Sequence, residues 1–133
     1  MLKKFLSKEI KEFIDANIRS LEDLEILLLV HSDPKHDWDA LEVSRKLSID
    51  PILASNHLMA LYLNGLIKHE GRGQLTHFRY NTHQHTNEKH LSELEELFSK
   101  HRSEVVEYID TNRRHQIQAS SETFGQKKAG RTV

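Results

Sequence analysis

The chain has 133 residues, 37% hydrophobic and 29% charged, with a formal net charge of −1, the make-up of one soluble domain with a modest core. It has no cysteine, which excludes disulfides and thiolate metal sites and fits the reducing cytoplasm. Its longest apolar runs, Ile26–Val30 and Leu58–Leu63, are far shorter than the roughly 20 residues that span a bilayer, and Met1–Leu6 lacks the apolar core of a secretory signal; no membrane partner is expected.

Leu2, Phe5, Leu6, Ile10, Phe13 and Ile14 share one side of a predicted helix over residues 2–17. Its lysines and glutamates lie mostly opposite, so the helix needs an apolar partner, in the same chain or in a second copy. Residues 1–19 form this N-terminal segment. Ser20 and Asp23 form a capping-box variant that opens the next helix. Leu21, Leu24, Leu27, Leu28 and Val30 point it at the core. The helix stops before Asp33–Pro34, because a residue preceding proline is pushed out of the helical region. Trp38 then starts a short strand or plugs the core, while Asp39 caps a third helix and Glu42 completes its box.

Ala40, Val43 and Leu47 recur at helical steps, and so do Ala54, Leu58, Leu61 and Leu66. Between the two runs, Asp50 can cap the second helix and Pro51 fits its first position, where no amide donor is needed. Asn64–Gly65 stops that helix. Leu66–Glu70 and Gln74–Tyr80 read as strands around the loop Gly71–Arg72–Gly73. Alternation puts Phe78 and Tyr80 inward and Arg79 outward. Helix, tight turn, helix and hairpin make a winged helix-turn-helix, here over residues 20–85.

A last helix, capped by Thr86 or Asn87, is predicted over residues 86–112, about 40 Å long at about 1.5 Å per residue. Leu91, Leu94, Phe98, Val105 and Tyr108 follow a near-heptad seam. That seam suits dimerisation, and His101 lies within it. Residues 113–133 read as a disordered basic tail. The fold class is therefore mainly α with a small β-hairpin, a winged helix-turn-helix flanked by N- and C-terminal helices.

His83, His85 and His90 carry no partner at a recognised metal-ligand spacing. No Ser/His/Asp grouping, glycine-rich phosphate loop or paired-acid motif appears. No catalytic residue, metal or cofactor is assigned, and the chain does not read as an enzyme.

Asp39–Tyr80 resembles the winged helix-turn-helix of bacterial regulators of the MarR and ArsR types. The matching residues are Ala40, Val43, Ser44, Leu47, Ile49 and Asp50 for the second helix and turn. His57, Leu58, Leu61, Gly65, Leu66 and Ile67 match the recognition helix and first wing strand, and Phe78 and Tyr80 the second strand. The likeness covers 42 of 133 residues. It implies a homodimeric regulator of transcription that binds duplex DNA. The candidate DNA contacts are Ser55 and Asn56 on the recognition helix, with Lys68, Arg72 and Arg79 near the wing. Pro51–His85 is net +2, which permits phosphate contacts.

A second reading comes from the same helix. With Leu58 and Leu61 inward, Ile52, Leu53, Asn56, Met59, Ala60 and Leu63 turn outward. Only Asn56 among them is a good base reader, and an outward apolar stripe marks a protein contact. The interface candidates are then Leu53 and Met59, with Leu91, Leu94, Phe98, Val105 and Tyr108 on the last helix.

Overall fold

The computed structural model describes residues 6–83 and 85–113. Helix α1 spans Lys8–Asn17, α2 Leu21–Ser32, α3 Ala40–Leu47 and α4 Pro51–Leu63. Strands β1 (Ile67–Glu70) and β2 (His77–Tyr80) form an antiparallel hairpin. Helix α5 covers His85–Lys100, and α6 covers residues 102–113. This is a winged helix-turn-helix with flanking helices.

Local chemistry sets most helix starts. Ser20 Oγ accepts from Asp23 N, Asp39 Oδ1 from Glu42 N and Asp50 Oδ1 from Ile52 N, each removing an orphan amide from a first turn. The turn between α3 and α4 needs one strained residue. Ser48 sits in the left-handed region at φ 56° and ends α3. Buried Ser44 ties the turn down, its hydroxyl donating to Ile49 O at 2.5 Å.

The core is one cluster. Leu24, Ile26, Leu27 and Val30 of α2 lie at its centre, met by Ala54, Leu58 and Leu61 of α4 and by Val43 of α3. Ile10, Phe13 and Ile14 of α1 close one side with Leu91 and Leu94 of α5 and Val105 and Ile109 of α6. The hairpin adds Ile67, Phe78 and Tyr80. Trp38 extends the hairpin by a single bridge, exchanging both backbone hydrogen bonds with Phe78 at 2.8 and 2.6 Å. Its side chain is also buried, so it is both strand edge and core plug.

Several local features differ from the sequence expectation. The first helix starts at Lys8, because Ser7 caps it by accepting from Ile10 N at 3.2 Å. Leu2 and Phe5 lie outside the described residues. Glu42 does not close a capping box, since its carboxylate meets His36 Nε2 at 2.9 and 3.0 Å instead. The second wing strand begins at His77, because Gly73–Leu75 coil into a 3-10 turn. That turn demands glycine at Gly71, where a Cβ would lie 2.2 Å from the Leu75 carbonyl oxygen.

The expected 86–112 helix starts a residue earlier and breaks at His101. Neither Thr86 nor Asn87 caps it, as both lie inside α5. On either side of the break the backbone still pairs, His101 N with Leu97 O and Val105 N with His101 O. The break lets Val105 and Ile109 bury on the same core as Leu91 and Leu94. The tail, 114–133, lies outside the described residues.

Burial makes a direct prediction. Leu58→Ala opens a cavity beneath α4 and lowers unfolding free energy by about 2–5 kcal/mol. Leu63→Ala, on the same helix but 76% exposed, changes it by less than about 0.5 kcal/mol. Urea denaturation of both variants checks the pair.

Candidate nucleic-acid interface

Because Ala54, Leu58 and Leu61 are fully buried, the opposite side of α4 is the surface it presents. Ile52 is 71% exposed and Leu63 76%, with Leu53 half exposed. Asn56 is exposed between them, while Ser55, Met59 and Ala60 are half-buried. Met59 therefore stands partly in the core rather than wholly outward. Beside it an open cleft of about 490 Å³ separates α4 from the wing, with Leu41, Ser55, Met59, His69 and Thr76 among its walls.

The hairpin register places Lys68 opposite Arg79 and Glu70 opposite His77 on the outer face. Two like charges directly opposed repel. Arg79 is drawn away by Asp37, which accepts from its Nε at 2.8 Å and sits 2.7 Å from a terminal guanidinium nitrogen. His77 lies 3.4 Å from Glu70. Among the candidate DNA contacts, Arg79 is thus already paired. Lys68 and Arg72 are exposed, with Arg72 at the loop of the wing. The structure brings Ser55 and Asn56 together on α4 and leaves Lys68, Arg72 and Arg79 on the hairpin.

The interface candidates on the terminal helices divide. Leu91, Leu94 and Val105 are fully buried in this chain's own core, where a second copy does not reach them. Phe98 and Tyr108 are half-buried at its edge. The Arg102 guanidinium lies over the Phe98 ring, 4.3 Å from its centroid. Tyr108 donates to Asp15 at 2.8 Å, joining α6 to α1. Burial and that bond push its phenol up to about 12.

Two polar contacts had no signal in the sequence, because their partners lie far apart in the chain. The first joins α2 to α4. Buried Asp23 accepts from Arg19 N at 3.0 Å and faces His57 Nδ1 at 2.6 Å. The second joins α5 to the wing. Glu88 accepts from the Tyr80 hydroxyl on one oxygen and meets His31 Nε2, at 2.8 Å, with the other. His31 also lies 3.4 Å from Glu95 and edge-on to the Tyr80 ring. The His31 hydrogen bond, followed by that of Tyr80, holds the Glu88 carboxyl below its ordinary value. Burial, then the Glu88 contact, pushes the Tyr80 phenol up.

Among the described residues no three His, Cys, Asp or Glu side chains are grouped to hold a metal ion. His90 instead packs its ring near Phe13. Among the same residues no helix is long and apolar enough to cross a membrane.

The chain is similar in structure to a MarR family protein from Bacillus stearothermophilus, with 14% identity, 92% of this chain and 85% of that one covered, and a TM-score of 0.48. It is also similar to a mutant of Lactococcus lactis ZitR, with 22% identity, 81% and 77% coverage and a TM-score of 0.40. No protein-family model and no curated protein matches it.

The two polar contacts can be tested separately. His57→Ala strips the buried Asp23 carboxylate of its side-chain partner and costs about 1–3 kcal/mol of stability in chemical denaturation. Glu88 has a lowered folded pKa, so its contribution is present above the ordinary value of 4.5 and fades as pH falls below it. Between about pH 6 and about pH 3, Glu88→Gln should therefore lose less stability than the native chain. The difference stays under about 1 kcal/mol, because the Glu88 side chain is 47% exposed.

Proposed function

We propose that this protein is a cytoplasmic bacterial regulator of transcription that binds duplex DNA as a homodimer through its winged helix. The observation that carries the reading is the placement of α4, backed by its buried side and flanked by a wing bearing exposed Lys68 and Arg72. A helix of 13 residues is about 20 Å long and fits a major groove. In that pose Asn56 offers an amide to an adenine edge, and Ser55 a hydroxyl to a base or phosphate. Lys68 and Arg72 meet phosphates and fix register without reading sequence. Arg79 contributes only by leaving Asp37. The dimer is formed by the terminal helices, with Phe98 and Tyr108 at the contact. No residue is assigned a catalytic role and no cofactor is invoked.

One observation favours a second reading. The presented side of α4 has no Lys, Arg, Asp or Glu after its Asp50 cap, and its most exposed residues are Ile52 and Leu63. A winged-helix module that contacts protein instead of DNA would present such a surface through Leu53 and Met59.

Fluorescence anisotropy with labelled duplexes decides between them. DNA binding predicts an affinity that falls steeply with salt. Replacing Lys68 and Arg72 with Ala lowers the slope of log K against log salt by about 0.9 for each phosphate that is no longer neutralised. Asn56→Ala leaves that slope unchanged and reduces discrimination between sequences by about 1–3 kcal/mol. Absence of any duplex binding at low salt rejects the regulator.

A further inference from the structure

The outer face of the hairpin carries a histidine between two carboxylates. His77 Nε2 lies 3.4 Å from Glu70 Oε2, across the strand pair, and 4.0 Å from Asp37 Oδ1, in the loop before α3. The other ring nitrogen, Nδ1, is 3.2 Å from the Leu75 carbonyl oxygen. A carbonyl oxygen only accepts, so this contact places the single proton of a neutral ring on Nδ1. Nε2 then turns a lone pair toward two carboxylates and bonds to neither. A proton added at Nε2 converts both contacts from repulsive to attractive.

Asp37 has a second claimant. The same Oδ1 that faces His77 accepts from Arg79 Nε at 2.8 Å and lies 2.7 Å from a terminal guanidinium nitrogen. The charged groups around His77 are Lys68 and Glu70 of β1, Arg79 of β2 and Asp37 of the loop. His36, next to Asp37, is engaged with Glu42 instead. Two cations and two anions cancel while His77 is neutral, and an imidazolium leaves the face at +1. It also draws on the oxygen that holds Arg79, which Lys68 already opposes from across the strand pair.

We propose that His77 is a proton-operated switch on the wing: its imidazolium competes for Asp37, releases Arg79 to a phosphate and so tightens duplex binding in acid. This regulation rests on the duplex-binding reading above. Neutral His77 leaves Arg79 tied to Asp37, and the wing then meets phosphates through Lys68 and Arg72 alone.

The test compares the full-length native chain with His77→Gln, which stays neutral, and with Asp37→Asn, which frees Arg79 at any pH. Circular dichroism first shows native helix content in both. Anisotropy with labelled duplexes is then run across a salt series at about pH 8 and about pH 5.5, where an imidazole is mostly neutral and mostly charged. In the native chain the slope of log K against log salt should steepen by about 0.9 at the lower pH, for one added phosphate contact. His77→Gln should keep its shallow slope at both pH values, Asp37→Asn its steep slope at both, and His36→Gln the native response. An identical native slope at the two pH values overturns the proposal, as does a pH response that His77→Gln retains. A second measurement needs no DNA. At about pH 5.5 the Arg79 Nε proton should exchange with solvent about twofold faster in the native chain than in His77→Gln, because Asp37 is then shared between two donors. If no duplex binds at either pH the regulator is rejected, and this exchange decides alone whether His77 competes for Asp37; equal rates overturn it.

Discussion

Burial of Ala54, Leu58 and Leu61 against α2 governs everything this molecule can present. Three points on one side of a helix fix its rotation, because successive side chains turn through a set angle. Once those three face inward, Ile52, Asn56 and Leu63 have no alternative to solvent. The start of the helix is fixed as tightly. Asp50 caps it, Pro51 opens it, and Ser48 turns the chain through a left-handed residue just before. Both candidate roles of α4 therefore follow from core packing and need no specialised loop.

Packing alone sets rotation better than it sets tilt, and polar contacts supply the rest. Asp23 caps the α2 end through Arg19 N and reaches His57 on α4. One buried carboxylate thus positions α4 relative to the central helix α2. The wing is held by equally few groups. Trp38 pairs its backbone with Phe78, and Asp37, one residue earlier, holds Arg79. The loop before α3 therefore anchors the hairpin by two different chemistries. The Asp37 contact also lowers the positive charge that Arg79 offers to any anion, because the guanidinium is already paired.

The sequence made the domain legible wherever cause and effect were close together in the chain. The caps at Ser20, Asp39 and Asp50, the stop before Pro34 and the inward Phe78 and Tyr80 are all local matters of hydrogen bonding and periodicity. Ser7 belonged to the same class, but the continuous apolar stripe from Leu2 concealed it. The break at His101 was illegible for a different reason. No proline or glycine marks it. It arises because Val105 and Ile109 gain burial when the last helix turns onto the core. The site was less readable than the fold. Exposure of Asn56 followed from the period of α4, but the pairing of Arg79 with Asp37 and the contacts of Asp23 and Glu88 join residues that periodicity cannot bring together.

The Glu88 contact also ties down the first turn of α5, since its bonds to Tyr80 and His31 fix that turn against β2 and α2. The consequence is geometric. Helix α5 leaves the domain from the end of β2, and one carboxylate shared between a strand residue and an α2 residue sets the angle at which it leaves. Farther along, Leu91 and Leu94 sink into the core, so apolar packing takes over within two turns. The wing and the terminal helix are therefore joined through the shared core and, at its edge, through a polar cluster whose Glu88 is half exposed. The strength of that polar part depends on Glu88 staying ionised.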